Sequence, residues 1–284
     1  MPVHIAYGEI VRGAIEAIRM IGFPFGQADD CAEGFVWTQS VLSRGYDLLR
    51  LADEQRPVGG WGMPTLPGPE LEPRVIQLNG LPLFAYAARL ADLTHTIAKG
   101  PAQMASIVAV GAIGGWIAPY IAYRMARAGC VAATLWKRGN PQIALDASDT
   151  LVMATPFEAD QLHVAPVEMY EIPPRHCILD DAFPEALIGR ISEDIAQAAD
   201  GSAFIALAAD PRYAGPKVGC SALAQAARLG GLRDAQLGLI QSQTRLRLAI
   251  GEGLETDIAN LQFFTGLLRR VRVPNSQRSS SQAG

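Results

Sequence analysis

Between Lys99 and Arg124 the chain carries no charged side chain: "GPAQMASIVAVGAIGGWIAPYIAY". An uncharged run of this length either spans a bilayer or is buried in a folded core, so it limits the fold more than any other segment. Gly111 and Gly115 even supply the small-x-x-x-small spacing of packed membrane helices. Against a span, Gly100-Pro101, the Gly111/Gly114/Gly115 cluster and Pro119 interrupt the run, and residues 106–110 are short and β-branched, like a buried strand. A strand, a glycine turn and a helix are therefore expected, and no membrane partner.

The flanking sequence reads as helices around short strands. Ile10, Val11, Ala14, Ile15, Ile18 and Ile21 recur on one helical face, and "GFPFG" stops that helix. A second helix is expected from about 27–30, where Asp29 and Asp30 suit the positive helix end, to Ser43, with Gly45 as its stop. A short helix follows over 46–52, then a Gly/Pro-rich connection over 57–73 and a helix over 85–98. Strands are expected at 104–110, 130–136, 150–155, 176–180 and 203–209, with helices at 117–128, closed by Gly129, and at 184–199. Beyond Ser221 the pattern is helical over 222–229, 235–250 and 257–271; Ile258, Leu261, Phe264, Leu267 and Leu268 form a stripe suited to core or subunit contact. The organisation predicted is an α/β (α+β) chain: an N-terminal helical part (1–100), a central sheet domain (101–220), a C-terminal helical part packing on the core (221–271) and a Ser-rich solvated tail (272–284).

A net charge of −4, with no clustered basic stripe, gives nothing to neutralise nucleic-acid phosphates, so nucleic acid is not expected as a partner. Cys31, Cys130, Cys177 and Cys220 are far apart and form no C-x-x-C pair, and nothing at the start reads as a signal peptide. Reduced thiols and a cytoplasmic location are expected. The histidines His4, His95 and His163 are isolated and no Cys/His cluster occurs, so no metal is expected.

Three segments are candidates for chemistry. Glycines between a strand and a helix let backbone N–H groups approach a phosphate or carboxylate, and Gly111, Gly114 and Gly115 are so placed. Their G-x-x-G-G spacing matches neither the dinucleotide nor the P-loop fingerprint, and a tight turn with close helix packing is the other reading. Asp180 and Asp181 end an apolar strand before a helix; adjacent strand residues face opposite ways, so at most one of them faces a site, and capping the helix is the other reading. The same alternation makes His176 and Cys177 a poor base–nucleophile dyad. Arg44, after a helix end, either binds a substrate carboxylate in bidentate fashion or neutralises the negative helix terminus, and the two roles are compatible.

Taken in order, these segments resemble the malate/L-lactate dehydrogenase family, NAD(P)-dependent reductases of 2-oxo and 2-imino acids that lack a Rossmann fold. Leu42-Ser43-Arg44-Gly45, with Leu48 or Leu49, is similar to the family's Asp-Ser-His-Gly-x-x-x-Leu signature after two helices. "VAVGAIGGWIAPYIAYRMARAG" resembles its strand-turn-helix with an Asn/Ser-His-Phe-Gly turn, and "SDTLVMATP" its Gly-Thr-Asn-Pro-Ile-Ala segment. Ile178-Leu179-Asp180-Asp181-Ala182-Phe183-Pro184 resembles its Val/Leu-Asp-Met-Ala-Thr-Ser motif. The likeness spans residues 3–209 and, more loosely, runs to 271. It implies a central mixed or largely antiparallel sheet surrounded by helices, an NAD(P)H cofactor, a small carboxylate substrate and a homodimer. It also implies site roles: Arg44 and Asp180 in the site, Tyr46 beside the substrate, and Gly111, Gly114, Gly115 and Trp136 near the cofactor; with the family's histidines replaced, Tyr46, His176 or a water is left as proton donor.

The departures are chemical. Arg44 and Gly114, or its neighbours, stand where the family places histidines around nicotinamide and substrate; Pro184 replaces a serine, and the later Lys-Gly segment has no counterpart. Reduction of a carbonyl needs a proton donor tuned near working pH, and Arg44 stays protonated. Two readings follow: a divergent NAD(P)H-linked reductase, or the same scaffold as a cofactor-free small-molecule enzyme or binding subunit of amino-acid metabolism. A structural or membrane-associated protein built on the uncharged run is a third class.

Overall fold

The computed structural model of the chain describes residues 3–58, 60–64, 74–100, 104–139, 142–146, 150–154, 161–166, 203–210 and 238–271. Strand β1 (Val3–Ile5) leads into helix α1 (Tyr7–Met20), whose Ile10, Ala14, Ala17 and Ile18 are buried at one-face spacing. Helix α2 (Phe25–Leu42) buries residues on nearly every side, among them Cys31, Phe35, Trp37 and Val41, and runs through the middle of the helical layer. Helix α3 (Gly45–Glu54) follows after a two-residue break. Next come β2 (Arg74–Gln77), a 3-10 turn at Leu83–Ala85, α4 (Ala87–Ala98) and β3 (Met104–Val110). A second 3-10 turn, Gly115–Ile117, opens directly into α5 (Ala118–Arg127), followed by β4 (Val131–Lys137), β5 (Thr150–Ala154), β6 (Gln161–Pro166) and β7 (Ala203–Ala209). The last elements are β8 (Gly238–Gln241), α6 (Ser242–Glu252), β9 (Leu254–Thr256) and α7 (Ile258–Val271).

The main sheet has the order β2-β3-β7-β4-β5-β6-β8. Among the described strands of this sheet only β2 and β3 run parallel and the other pairings are antiparallel, which makes the sheet mixed and unlike the parallel sheet of a Rossmann domain. At its centre, Val131 to Trp136 of β4 are all buried, and α5 packs directly on this strand. The one polar side chain in that run, Thr134, donates its hydroxyl to the Ala118 carbonyl at 3.1 Å. The uncharged run is thus β3, a turn and α5, as expected, and no helix among the described residues is long and apolar enough to cross a membrane.

The two ends of the described chain meet. Strands β1 and β9 pair antiparallel, α7 packs on α1, and α6 packs on α2. Phe264 of α7 stacks on Phe35 of α2 at 6.1 Å and meets Tyr46 of α3 edge-on at 5.9 Å, while Arg270 donates twice to the Asp53 carboxylate, at 2.6 and 2.9 Å. The predicted stripe is therefore core at Phe264 and Leu267, with Ile258 left exposed.

Two expectations are corrected, and four strands are unforeseen. The helix expected over 235–250 begins only at Ser242, because Gly238–Gln241 pairs as strand β8 with β6, and that cross-strand pairing outweighs the helical periodicity of the sequence. Strands β1, β2, β6 and β9 are too short or too polar to announce themselves by pattern. Gly45 does not stop α2: Ser43 takes the left-handed conformation there (φ 58°), and Gly45 is the first residue of α3. The expected strand at 176–180 and the helices at 184–199 and 222–229 lie outside the described residues.

Candidate active site

Arg44 owes its place to two helices that meet at a tight corner. A Cβ on Gly45 would lie 2.6 Å from the Phe35 carbonyl oxygen and 2.7 Å from Gln39 Cβ, so only glycine lets α3 start this close to α2. Gln39, buried on α2, caps α3 in place of a local side chain: its Oε1 accepts the N–H groups of Gly45 (3.0 Å) and Tyr46 (3.4 Å), and its Nε2 donates to the Glu255 carbonyl on β9 (3.2 Å). Arg245 of α6 donates to the Val41 carbonyl at 2.6 Å, satisfying an acceptor at the end of α2.

From this corner Arg44 projects toward the glycine turn. Its guanidinium lies over the Trp116 indole, 4.7 Å from the ring centroid, and donates to the Asp47 carboxylate at 3.0 Å. The Arg44 side chain is 51% exposed and Asp47 15%, so the cation keeps a face open to solvent. The turn itself is built from two left-handed glycines, Gly111 (φ 66°) and Gly114 (φ 87°). It is laced to the 78–83 segment: Gly80 N–H donates to the Gly111 carbonyl (2.6 Å), Ile113 N–H to Leu81 (3.2 Å) and Leu83 N–H to Ile113 (2.8 Å). Leu48 and Leu51 of α3 approach the space a Gly114 Cβ would occupy, both at 3.5 Å, which joins Arg44's helix to the turn.

Gly115 and Trp136 form a packed contact. The indole is fully buried, and a Cβ on Gly115 would run into its ring. The anion-binding capacity that the sequence allowed this turn is met from within: Gly115 N–H donates to the buried Asp146 carboxylate at 2.6 Å, and Trp116 Nε1–H donates to the Leu145 carbonyl at 2.8 Å.

The structure thus brings together Arg44, Gly111, Gly114, Gly115 and, behind Gly115, Trp136. Tyr46 has other neighbours: its ring is 1% exposed between Phe35 and Phe264. Burial raises the Tyr46 phenol above its usual pKa, the nearby Thr256 hydroxyl opposing. His176, Asp180 and Asp181 lie outside the described residues, as do Cys177 and Cys220. Among the remaining histidines, His4 is in register with Glu255 on β9 and His95 is in the last turn of α4. Cys31 and Cys130 are buried thiols; burial pushes Cys130 up to about 11 and Cys31 further up, so neither is a thiolate at neutral pH. Among the described residues no three His, Cys, Asp or Glu side chains gather as a metal site. Sequence reasoning missed Asp47, Trp116 and Asp146. The i, i+3 spacing of Arg44 and Asp47 on a helix start was a legible signal; the other two contacts join segments distant in sequence.

No protein-family model matches the chain, and comparison with curated sequences finds no match. Solved structures do match over nearly the whole length. Malate dehydrogenase from Pyrococcus horikoshii OT3 superposes with a TM-score of 0.64 at 13% identity, covering 96% of each chain. A dehydrogenase from Sinorhizobium meliloti gives 0.58 at 15% identity, covering 94% of this chain and 99% of that one. Sulfolactate dehydrogenase from Methanocaldococcus jannaschii gives 0.54 at 12% identity, covering 94% and 97%. Over nearly its whole length the chain has the fold of these dehydrogenases, the fold that its resemblance to the malate/L-lactate dehydrogenase family implied.

Proposed function

We propose that the chain is a divergent NAD(P)H-linked reductase of a small 2-oxo or 2-imino carboxylic acid, with Arg44 binding the substrate carboxylate. The observation that supports this is the pose of Arg44: a half-exposed guanidinium, lying over the Trp116 indole, at the edge of the glycine turn. A planar, permanently charged fork suits bidentate recognition of a carboxylate. Such charge-assisted hydrogen bonds contribute about 1.5–3 kcal/mol, on the order of a 10- to 100-fold change in affinity.

The residues of the turn fit one end of the cofactor and not the other. Phosphates do not fit at Gly115, because its N–H is taken by Asp146 and a second anion there would be repelled. Part-buried Ile113 and Trp116 are the apolar surface the turn offers to a nicotinamide ring. NAD(P)H, when bound, supplies the hydride. Arg44 orients the acid and cannot donate the proton, since it stays charged; that role is assigned by sequence alone to His176 or a water, with Asp180 as the site carboxylate. Tyr46, the other donor considered, is enclosed by aromatic rings. A cytoplasmic homodimer, implied by the resemblance, completes this reading.

Titration of the purified protein with NADH and NADPH, followed by cofactor oxidation with a panel of 2-oxo and 2-imino acids, tests the proposal. The expected result is cofactor binding and turnover with at least one acid, with KM raised 10-fold or more in Arg44→Met. The second reading, a cofactor-free enzyme or binding subunit, is favoured by the arginine and the buried glycine at the family's histidine positions. It stands if carboxylates bind at Arg44 while neither cofactor does.

A further inference from the structure

We propose that Asp146 is a positioning residue for Arg44, acting through Trp116; this rests on the reading of Arg44 as the carboxylate-binding group. The chain of contacts is short. Asp146 is 4% exposed, and its carboxylate accepts the Gly115 N–H at 2.6 Å, the length of a strong charge-assisted bond. The neighbouring Leu145 carbonyl accepts the Trp116 indole N–H at 2.8 Å. The 142–146 segment therefore grips two consecutive residues, one by its backbone and one by its ring. Those two bonds fix where the 3-10 turn begins and how the indole is rotated, and the indole face is the surface on which Arg44 lies.

The geometry gives Asp146 a use beyond stability. A guanidinium on a long flexible side chain loses rotamer freedom when it binds, and a pre-set pose removes part of that cost. Arg44 is restrained on one side by Asp47, which also competes for its donors, and on another by Trp116, which does not compete. The second restraint orients the cation without consuming a hydrogen bond. It depends on Trp116 staying put, and hence on Asp146 and the Leu145 carbonyl.

The test combines a measurement of pose with one of binding. In a 15N-resolved NMR spectrum the ring current of Trp116 shifts the Arg44 Nε–H signal, assigned by its loss in Arg44→Met. Asp146→Ala, or the milder Asp146→Ser if the alanine variant does not fold, is expected to move that signal toward its random-coil position. It is also expected to weaken pyruvate binding, followed by titration, 5-fold or more. Asp146→Asn, which keeps an oxygen acceptor for Gly115 N–H, should restore both to within about 2-fold of the parent in affinity, as recovery of a single neutral hydrogen bond implies. An unchanged Arg44 signal and unchanged pyruvate affinity in the folded alanine or serine variant would overturn the positioning role. Failure of pyruvate and other 2-oxo acids to perturb Arg44 in the parent protein would overturn the clamp itself. That second outcome is separate, because the pose signal is read without ligand.

Discussion

Arg44 carries its own competitor. The Asp47 carboxylate holds one of its donors, so an incoming carboxylate must share or displace that contact. A half-exposed pair of this kind is worth about 0.2–1 kcal/mol, so Asp47→Asn is expected to tighten pyruvate binding by up to about 5-fold, read as a lower Kd by titration. Unchanged or weaker binding would mean that Asp47 orients Arg44 more than it competes with its ligand. Cys130 gives a pH prediction. Its folded pKa, about 11, is raised by burial above the ordinary 9.0, with Lys99 lowering and Asp210 raising it. The unfolded chain therefore loses this proton first as pH rises, so the stabilisation is complete below about pH 9 and lost as pH climbs toward 11. Denaturation midpoints measured across that window should fall less steeply in Cys130→Ala than in the parent; identical slopes would remove Cys130 from the account.

The corner between α2 and α3 makes its own predictions. Gly45→Ala forces a Cβ onto the Phe35 carbonyl and Gln39, an overpacking expected to destabilise the protein by about 1–3 kcal/mol in urea unfolding. Gln39→Leu leaves the Gly45 N–H and the Glu255 carbonyl without their partner, a cost of about 1–3 kcal/mol, together with a rise in the KM of any carboxylate substrate because α3 carries Arg44. A loss of stability with no change in KM would confine Gln39 to folding. The same corner marks the limit of what pattern reveals. Strands β3 and β7 and helix α5 were legible because burial on all sides leaves continuous apolar runs that local sequence states outright. Strand β8 was not, since "GLIQ" runs straight into α6 and only its pairing with β6 makes it a strand. Gly45 departs from its expected role as a helix stop for a similar reason: it is required by a close approach of two helices, which no single-helix stop signal describes. Arg44 stands out in the sequence by its Ser43-Arg44-Gly45 motif, whereas Trp116 and Asp146 reach the candidate site only through contacts between segments far apart in the chain.

Across the whole molecule, the first and last described elements form one helical layer beside the sheet, and the candidate site lies where that layer meets the glycine turn. Phe264 is the principal link in that layer, stacked on Phe35, edge-on to Tyr46 and close enough to α1 that a Cβ on Gly13 would lie 2.8 Å from its ring. Phe264→Ala is expected to cost about 3–5 kcal/mol, seen as a large fall in the denaturation midpoint. A loss under about 1 kcal/mol would show that the two ends of the chain are held together by other contacts. The central claim is that this layer presents Arg44 to a substrate carboxylate at the turn. A crystal structure of the protein soaked with NADPH and pyruvate tests it most directly. The expected result is a carboxylate within hydrogen-bond distance of the Arg44 guanidinium, with the nicotinamide end of the cofactor against Ile113 and Trp116; ligand density elsewhere, with Arg44 bonded only to Asp47, would overturn the claim.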